Sequence, residues 1–113
     1  MKITPLEPPR RFVVGVGSIT ISHCADVELA SDEQVTFVTP TGKEHDFVAK
    51  SWGFYATPSV NGRLLDQGFK TALSRNAAGR YYVNVVDMDA IGDFLAYVAA
   101  EQSEIVEWLD ERP

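Results

Sequence analysis

A chain of 113 residues that is 45% hydrophobic and 23% charged has the make-up of a globular protein and enough apolar residues to exclude whole-chain disorder. Its net charge of −6 argues against a general nucleic-acid binder, because such proteins draw most of their affinity from neutralising phosphates. No apolar run approaches the ~18 to 20 residues of a membrane span, nothing at the N-terminus resembles a secretion signal, and the single cysteine, Cys24, excludes an internal disulfide, so a cytoplasmic location is expected.

Residues 1–11 read as a flexible, proline-rich arm, since Pro5, Pro8 and Pro9 each remove a backbone donor and disfavour a regular element before Arg11. Residues 12–113 read as a single domain. Phe12 to Val16 is β-branched and short, a strand that ends at Gly17. Ile19 to Ala25 alternates, with Ile19, Ile21 and His23 on one face and Thr20, Ser22 and Cys24 on the other. Gln34 to Val38 and Glu44 to Lys50 repeat that pattern around the turn at Pro40 to Lys43. So many turn signals in so few residues predict an antiparallel meander rather than alternating strands and helices.

Between Thr57 and Gly68 either an ordered loop or a short helix is expected, with Thr57 as cap, Val60 and Leu64 on its buried face and Gly68 as its end. Phe69 to Ser74 and Arg80 to Val86 form the clearest hairpin, joined through Asn76 to Gly79. From Asp87 the period turns helical. Ile91, Phe94, Leu95 and Val98 make one apolar stripe, and Ile105, Val106, Trp108 and Leu109 continue it as one long helix or a helix pair. The fold expected is therefore α+β: an antiparallel sheet of about six strands packed by the C-terminal helix or helix pair.

Charge is distributed unevenly. Residues 1–49 carry −3, residues 50–80 carry +4 and residues 81–113 carry −7. The central stretch also holds Trp52, Phe54, Tyr55 and Phe69, four of the twelve aromatic residues. Two readings compete here. Neighbouring elements would simply pair these charges across the surface, with the rings packing the core. Alternatively the stretch is a binding surface: Arg63 and Lys70 hold an anion, Trp52 and Tyr55 offer flat faces to a sugar or base, and Asn61 donates to a hydroxyl or phosphate oxygen.

No phosphate-binding loop, dinucleotide fingerprint or nucleophile elbow is present. His23 and Cys24 are neighbours on opposite faces of a strand and so cannot act together as base and nucleophile. His23, Asp26, Glu28, His45 and Asp46 have the right chemistry for a divalent metal but match no compact ligand spacing. Cys24 reads as a small core residue, and no metal or cofactor is expected.

The run Lys50-Ser51-Trp52-Gly53-Phe54-Tyr55-Ala56-Thr57-Pro58-Ser59-Val60-Asn61-Gly62-Arg63-Leu64, followed by Gly68-Phe69-Lys70-Thr71-Ala72-Leu73, resembles the signature of a small uncharacterised bacterial family. Its members tend to be encoded near genes for surface-polysaccharide or acidic-sugar synthesis, and the resemblance extends from about Ile19 to Val86. It implies a surface-glycan pathway and assigns no catalytic residue. The leading expectation is thus a non-catalytic binding or accessory domain for a sugar phosphate or nucleotide sugar, held by Trp52, Tyr55, Asn61, Arg63 and Lys70, with no nucleic-acid or membrane partner. A small enzyme using His23, Asp26 and His45, with or without the help of a metal ion, is one alternative. A protein-interaction module or homodimer, in which Trp108 and the acidic C-terminus meet a basic partner, is the other.

Overall fold

The computed structural model describes residues 1–113. It is α+β and mostly antiparallel, but three small sheets take the place of one six-stranded sheet. In chain order the elements are β1 (Lys2–Val14), β2 (Ile19–Glu28), β3 (Gln34–Val38), β4 (Glu44–Lys50), β5 (Gly53–Ala56), the single-turn helix α1 (Arg63–Asp66), β6 (Phe69–Arg75), β7 (Tyr81–Asp87), helix α2 (Ile91–Ala100) and β8 (Glu104–Trp108). The sheets run β1-β2, β3-β4-β5 and β7-β6-β8. The chain forms two compact units, Met1–Phe37 with Asp46–Thr57, and Val38–His45 with Pro58–Pro113.

In the first unit the proline-rich segment is strand from Lys2 onward, contrary to the expectation of no regular element before Arg11. The ladder shows why the prolines are tolerated. Lys2 to Pro5 pair with Ala25 to Glu28 and Arg10 to Val14 pair with Ile19 to His23, and between these blocks the register shifts. Pro8 and Pro9 fall in that irregular stretch, where a missing N–H breaks no ladder bond, and Pro5 lies on a strand with only one neighbour. Gly15 to Ser18 closes the hairpin, with the Ser18 N–H donating to the Gly15 carbonyl at 3.3 Å. Phe37 and Phe47 meet edge to face at 5.5 Å across β3 and β4. Ala49 is the one buried hydrophobic residue of this unit.

The second unit holds the rest of the buried apolar set: Leu64, Phe69, Ala72, Val86 and Val98. β6 is its central strand and alternates only weakly, because both of its faces are covered: Phe69, Thr71, Ala72 and Ser74 are all buried. Ile91, Phe94 and Val98 of α2 turn inward, and Phe94 packs edge to face on Trp108 at 5.9 Å. Leu95, expected in the same stripe, instead stays 50% exposed.

Two further stretches can be compared with expectation. Between Thr57 and Gly68 the loop alternative holds for most of the segment, with one helical turn at Arg63–Asp66 before Gly68 at φ +92°. The positive φ at Gly68 disfavours any side chain, and an added β-carbon would lie 2.8 Å from Lys43 Nζ, so it would also displace that ammonium. The segment after α2 is a strand rather than a helix. Gln102 takes a left-handed φ of 53° and turns the chain back, and the β-branched pair Ile105 and Val106 then supplies β6 with a second neighbour. Thr71 Oγ1 and Gln67 Oε1 are buried with no hydrogen-bond partner, a cost of about 1–3 kcal/mol each that packing in this unit offsets.

Leu64 is 0% exposed, so Leu64→Ala should lower the unfolding free energy by about 3 kcal/mol. Leu95→Ala, on the open side of α2, should change it by no more than about 0.5 kcal/mol. Urea denaturation of the two variants checks this, and equal losses would mean that α2 is covered on both sides.

Candidate functional site

The five residues expected to form a binding surface divide between the two units. Trp52 and Tyr55 belong to the first; Asn61, Arg63 and Lys70 belong to the second. Lys50 pairs with Gly53, so Ser51 and Trp52 form a two-residue hairpin turn, with Gly53 at φ +139°. That turn lifts Trp52 clear of the sheet, 69% exposed, and its ring stacks on Tyr55 at 5.9 Å with 27° between the planes. Phe54, one residue before Tyr55, is also exposed. These rings are not core residues. Lys50 beside them is ion-paired to Asp32.

In the second unit Asn61 lies exposed in the turn before α1, and Arg63 begins that helix. Lys70 sits on β6, where its charge is answered locally. Its Nζ donates to Asp110 Oδ2 at 2.9 Å and to Glu111 Oε2 at 3.3 Å, and it lies 5.0 Å from the centre of the Trp108 ring. Arg75 is likewise bonded to Glu104 and donates to the Tyr81 hydroxyl at 3.2 Å. The charge contrast along the sequence thus has a structural cause: basic β6 lies beside acidic β8 and the acidic C-terminal turn.

Asp110 is the polar residue that sequence reasoning missed. Its side chain is 1% exposed, and Oδ1 accepts the Thr71 N–H at 2.9 Å while Oδ2 faces Lys70. Burial works to raise this carboxyl, but the Lys70 ammonium and the Thr71 N–H outweigh it and hold the group below the usual carboxylate range. Lys70 is raised by its bond to Asp110. The one available signal was an acid following directly on the apolar run Ile105, Val106, Trp108 and Leu109.

Asp87 and Lys43 form a second ionic centre of this unit, 2.5 Å apart. Lys43 and the Asp89 N–H depress the Asp87 carboxyl, and Asp87 raises Lys43. By accepting the Asp89 N–H at 2.9 Å, Asp87 caps the single 3-10 turn Met88–Ala90 that leads into α2.

The residues considered for metal or nucleophilic chemistry do not assemble. His23 Nε2 bonds Asp26 Oδ1 at 2.7 Å, and Arg10 Nε donates to its other ring nitrogen at 3.5 Å. His45 is buried in the second unit, 6.4 Å from the Phe69 ring centre. No group of three or more His, Cys, Asp or Glu side chains converges anywhere in the chain. Cys24, expected in the core, is exposed. One depression, about 470 Å³, is lined by Arg75, Asn76, Gln102, Ser103 and Glu104, and its two charged groups already neutralise each other. None of the five expected binding residues lines it. No helix is long and apolar enough to cross a membrane.

Asp110→Ala should cost about 3 kcal/mol, since it strands the buried Thr71 N–H and removes the Lys70 partner, whereas Asp110→Asn keeps an acceptor and should cost about 1 kcal/mol. A depressed carboxyl contributes stability above its unfolded pKa and loses it as pH falls through the folded one. The gap between the native chain and Asp110→Asn should therefore be full at pH 5–7 and close as pH falls below about 4. Urea midpoints measured across that range check this; a gap that is the same at both ends would remove Asp110 as a charged anchor.

No protein-family model, no curated protein and no solved structure matches this chain.

Proposed function

We propose that this protein is a non-catalytic interaction module that meets other proteins through open, apolar strand surfaces. The observation that carries the reading is where the large apolar side chains lie. Few are buried, whereas Ile3, Val13 and Ile21 on the β1-β2 ribbon and Tyr81, Tyr82 and Val83 on β7 stand exposed. A two-stranded ribbon open on both faces is marginal in water by itself. Exposed apolar surface beyond what a soluble monomer ordinarily shows is a mark of protein contact sites. The depressions in the surface are shallow and their charges are paired internally, which suits contact with a partner better than enclosure of a substrate.

The experiment places a photo-reactive benzoyl-phenylalanine at Ile21 or Val83 in the living cell, with Asp93 as a polar control. Protein adducts at the apolar positions and few at Asp93 are expected. Equal yields at all three would overturn the reading.

A second reading rests on the stacked, exposed pair Trp52 and Tyr55, a flat surface of the sort that sugars use. On this reading the module carries an acidic sugar or nucleotide sugar, with Trp52 and Tyr55 as its platform. Amide shifts confined to residues 50–56 during titration with nucleotide sugars at millimolar concentration would support it. Unchanged spectra would dispose of it.

A further inference from the structure

β7 is an outer strand: its only neighbour is β6, so its far side presents unpaired backbone groups. Proteins ordinarily blunt such edges with prolines, charges or short strands. Elsewhere in this chain those devices are present. β1 carries Pro5, Pro8, Pro9 and four charged residues, β2 ends in Asp26 and Glu28, β8 carries Glu104 and Glu107, and β3 and β5 are only five and four residues long. β7 is seven residues long and carries neither a proline nor a charge before its final Asp87. Its side chains Tyr81, Tyr82 and Val83 are each more than half exposed, Val83 at 65%.

The strand is also electrically polarised. Arg80, exposed, stands immediately before it. Asp87 closes it and Asp89 follows; Lys43 bridges both acids, and its single charge leaves that end of the strand net negative. A strand with a cation at its start, acids at its end and uncharged β-formers between them is complementary to itself in one orientation only, the antiparallel one. We propose that β7 is the pairing edge between two copies of this chain, joined about a two-fold axis into one continuous six-stranded sheet. This rests on the interaction-module reading and names its partner at this edge.

An axis perpendicular to the sheet reverses strand direction and keeps each face on its own side. Centred on Asn84, it sets Val83 of one copy against Val85 of the other on one face, and Tyr82 against Val86 on the opposite face. Pairs of aromatic and β-branched residues are favourable across antiparallel strands. The same rotation carries each Arg80 to the acidic end of the other strand, and a parallel pairing would instead bring like charges together. Such an interface is isologous, so it closes at two copies and leaves no free β7 edge for further addition. A stable interface needs about 1,000 Å² or more, and a single strand pair sits at the small end of that scale, so the dimer should be concentration-dependent.

Sedimentation equilibrium of the purified full chain, from about 1 µM to about 1 mM, should show the mass rising from monomer towards dimer. Val83→Lys, at an exposed position, should keep the native circular dichroism spectrum and remain monomeric throughout. Arg80→Glu should weaken the dimer about tenfold through its two symmetric contacts, and adding Asp89→Arg should restore it. A native chain whose mass stays monomeric over the range overturns the proposal. So does a dimer that Val83→Lys and Arg80→Glu leave intact. In either case, adducts from Ile21 or Val83 to a different protein would keep the interaction-module reading, whereas their absence would remove that too.

Discussion

The second unit depends on the buried carboxylate of Asp110. One oxygen takes the backbone N–H of the central strand and the other takes the ammonium of Lys70 on that same strand, so the C-terminal turn is held to β6 at two adjacent residues. Buried carboxylates persist only where charge and hydrogen bonds together answer the loss of water. Both are supplied here by Lys70 and Thr71. With the turn held, β8 lies along β6, Trp108 comes under Phe94, and α2 has a surface to cover. The modest buried set around Leu64, Phe69 and Val98 is enough for this unit because polar anchoring supplements it.

The same anchoring bears on function. A lysine committed to two acids, and an arginine committed to one acid and a phenol, are not waiting for an anion. What the surface offers instead is apolar: the ribbon in one unit, the outer strand in the other, and the Trp52–Tyr55 stack on its hairpin turn. Directional charges maintain the fold, while the sites open to other molecules are largely uncharged. That division is what the proposed contact role rests on.

Much of the local structure was legible in the sequence because turn chemistry and period-two alternation are short-range. The β6–β7 hairpin, its Asn76 to Gly79 loop, the β2 strand and the stop at Gly68 all follow from neighbouring residues. Failures came where a distant partner decides. Glu104 to Trp108 carries apolar residues at spacings that suit a helix and was read as one, but the second edge of β6 needed a neighbour. Prolines before Arg11 disfavour a regular element by their local chemistry, yet an irregular stretch of ladder accommodates them. Of the binding residues, the exposure of Trp52 was set locally, by a two-residue turn that the sequence reading did not anticipate. The partners of Lys70 were not, since they lie some forty residues further on.

Gly68 links two events that are remote in sequence. Its bare α-carbon leaves room for the Lys43 ammonium, which in turn steadies the carboxylate that opens the way into α2. Its carbonyl also accepts the Met88 N–H at 2.9 Å, at the same entrance. Replacement by even a methyl group would strain the backbone at this positive φ and push on that ammonium, so part of its effect would reach the entrance to the helix some twenty residues away. The smallest residue in the chain thus acts as a hinge-pin for its longest helix.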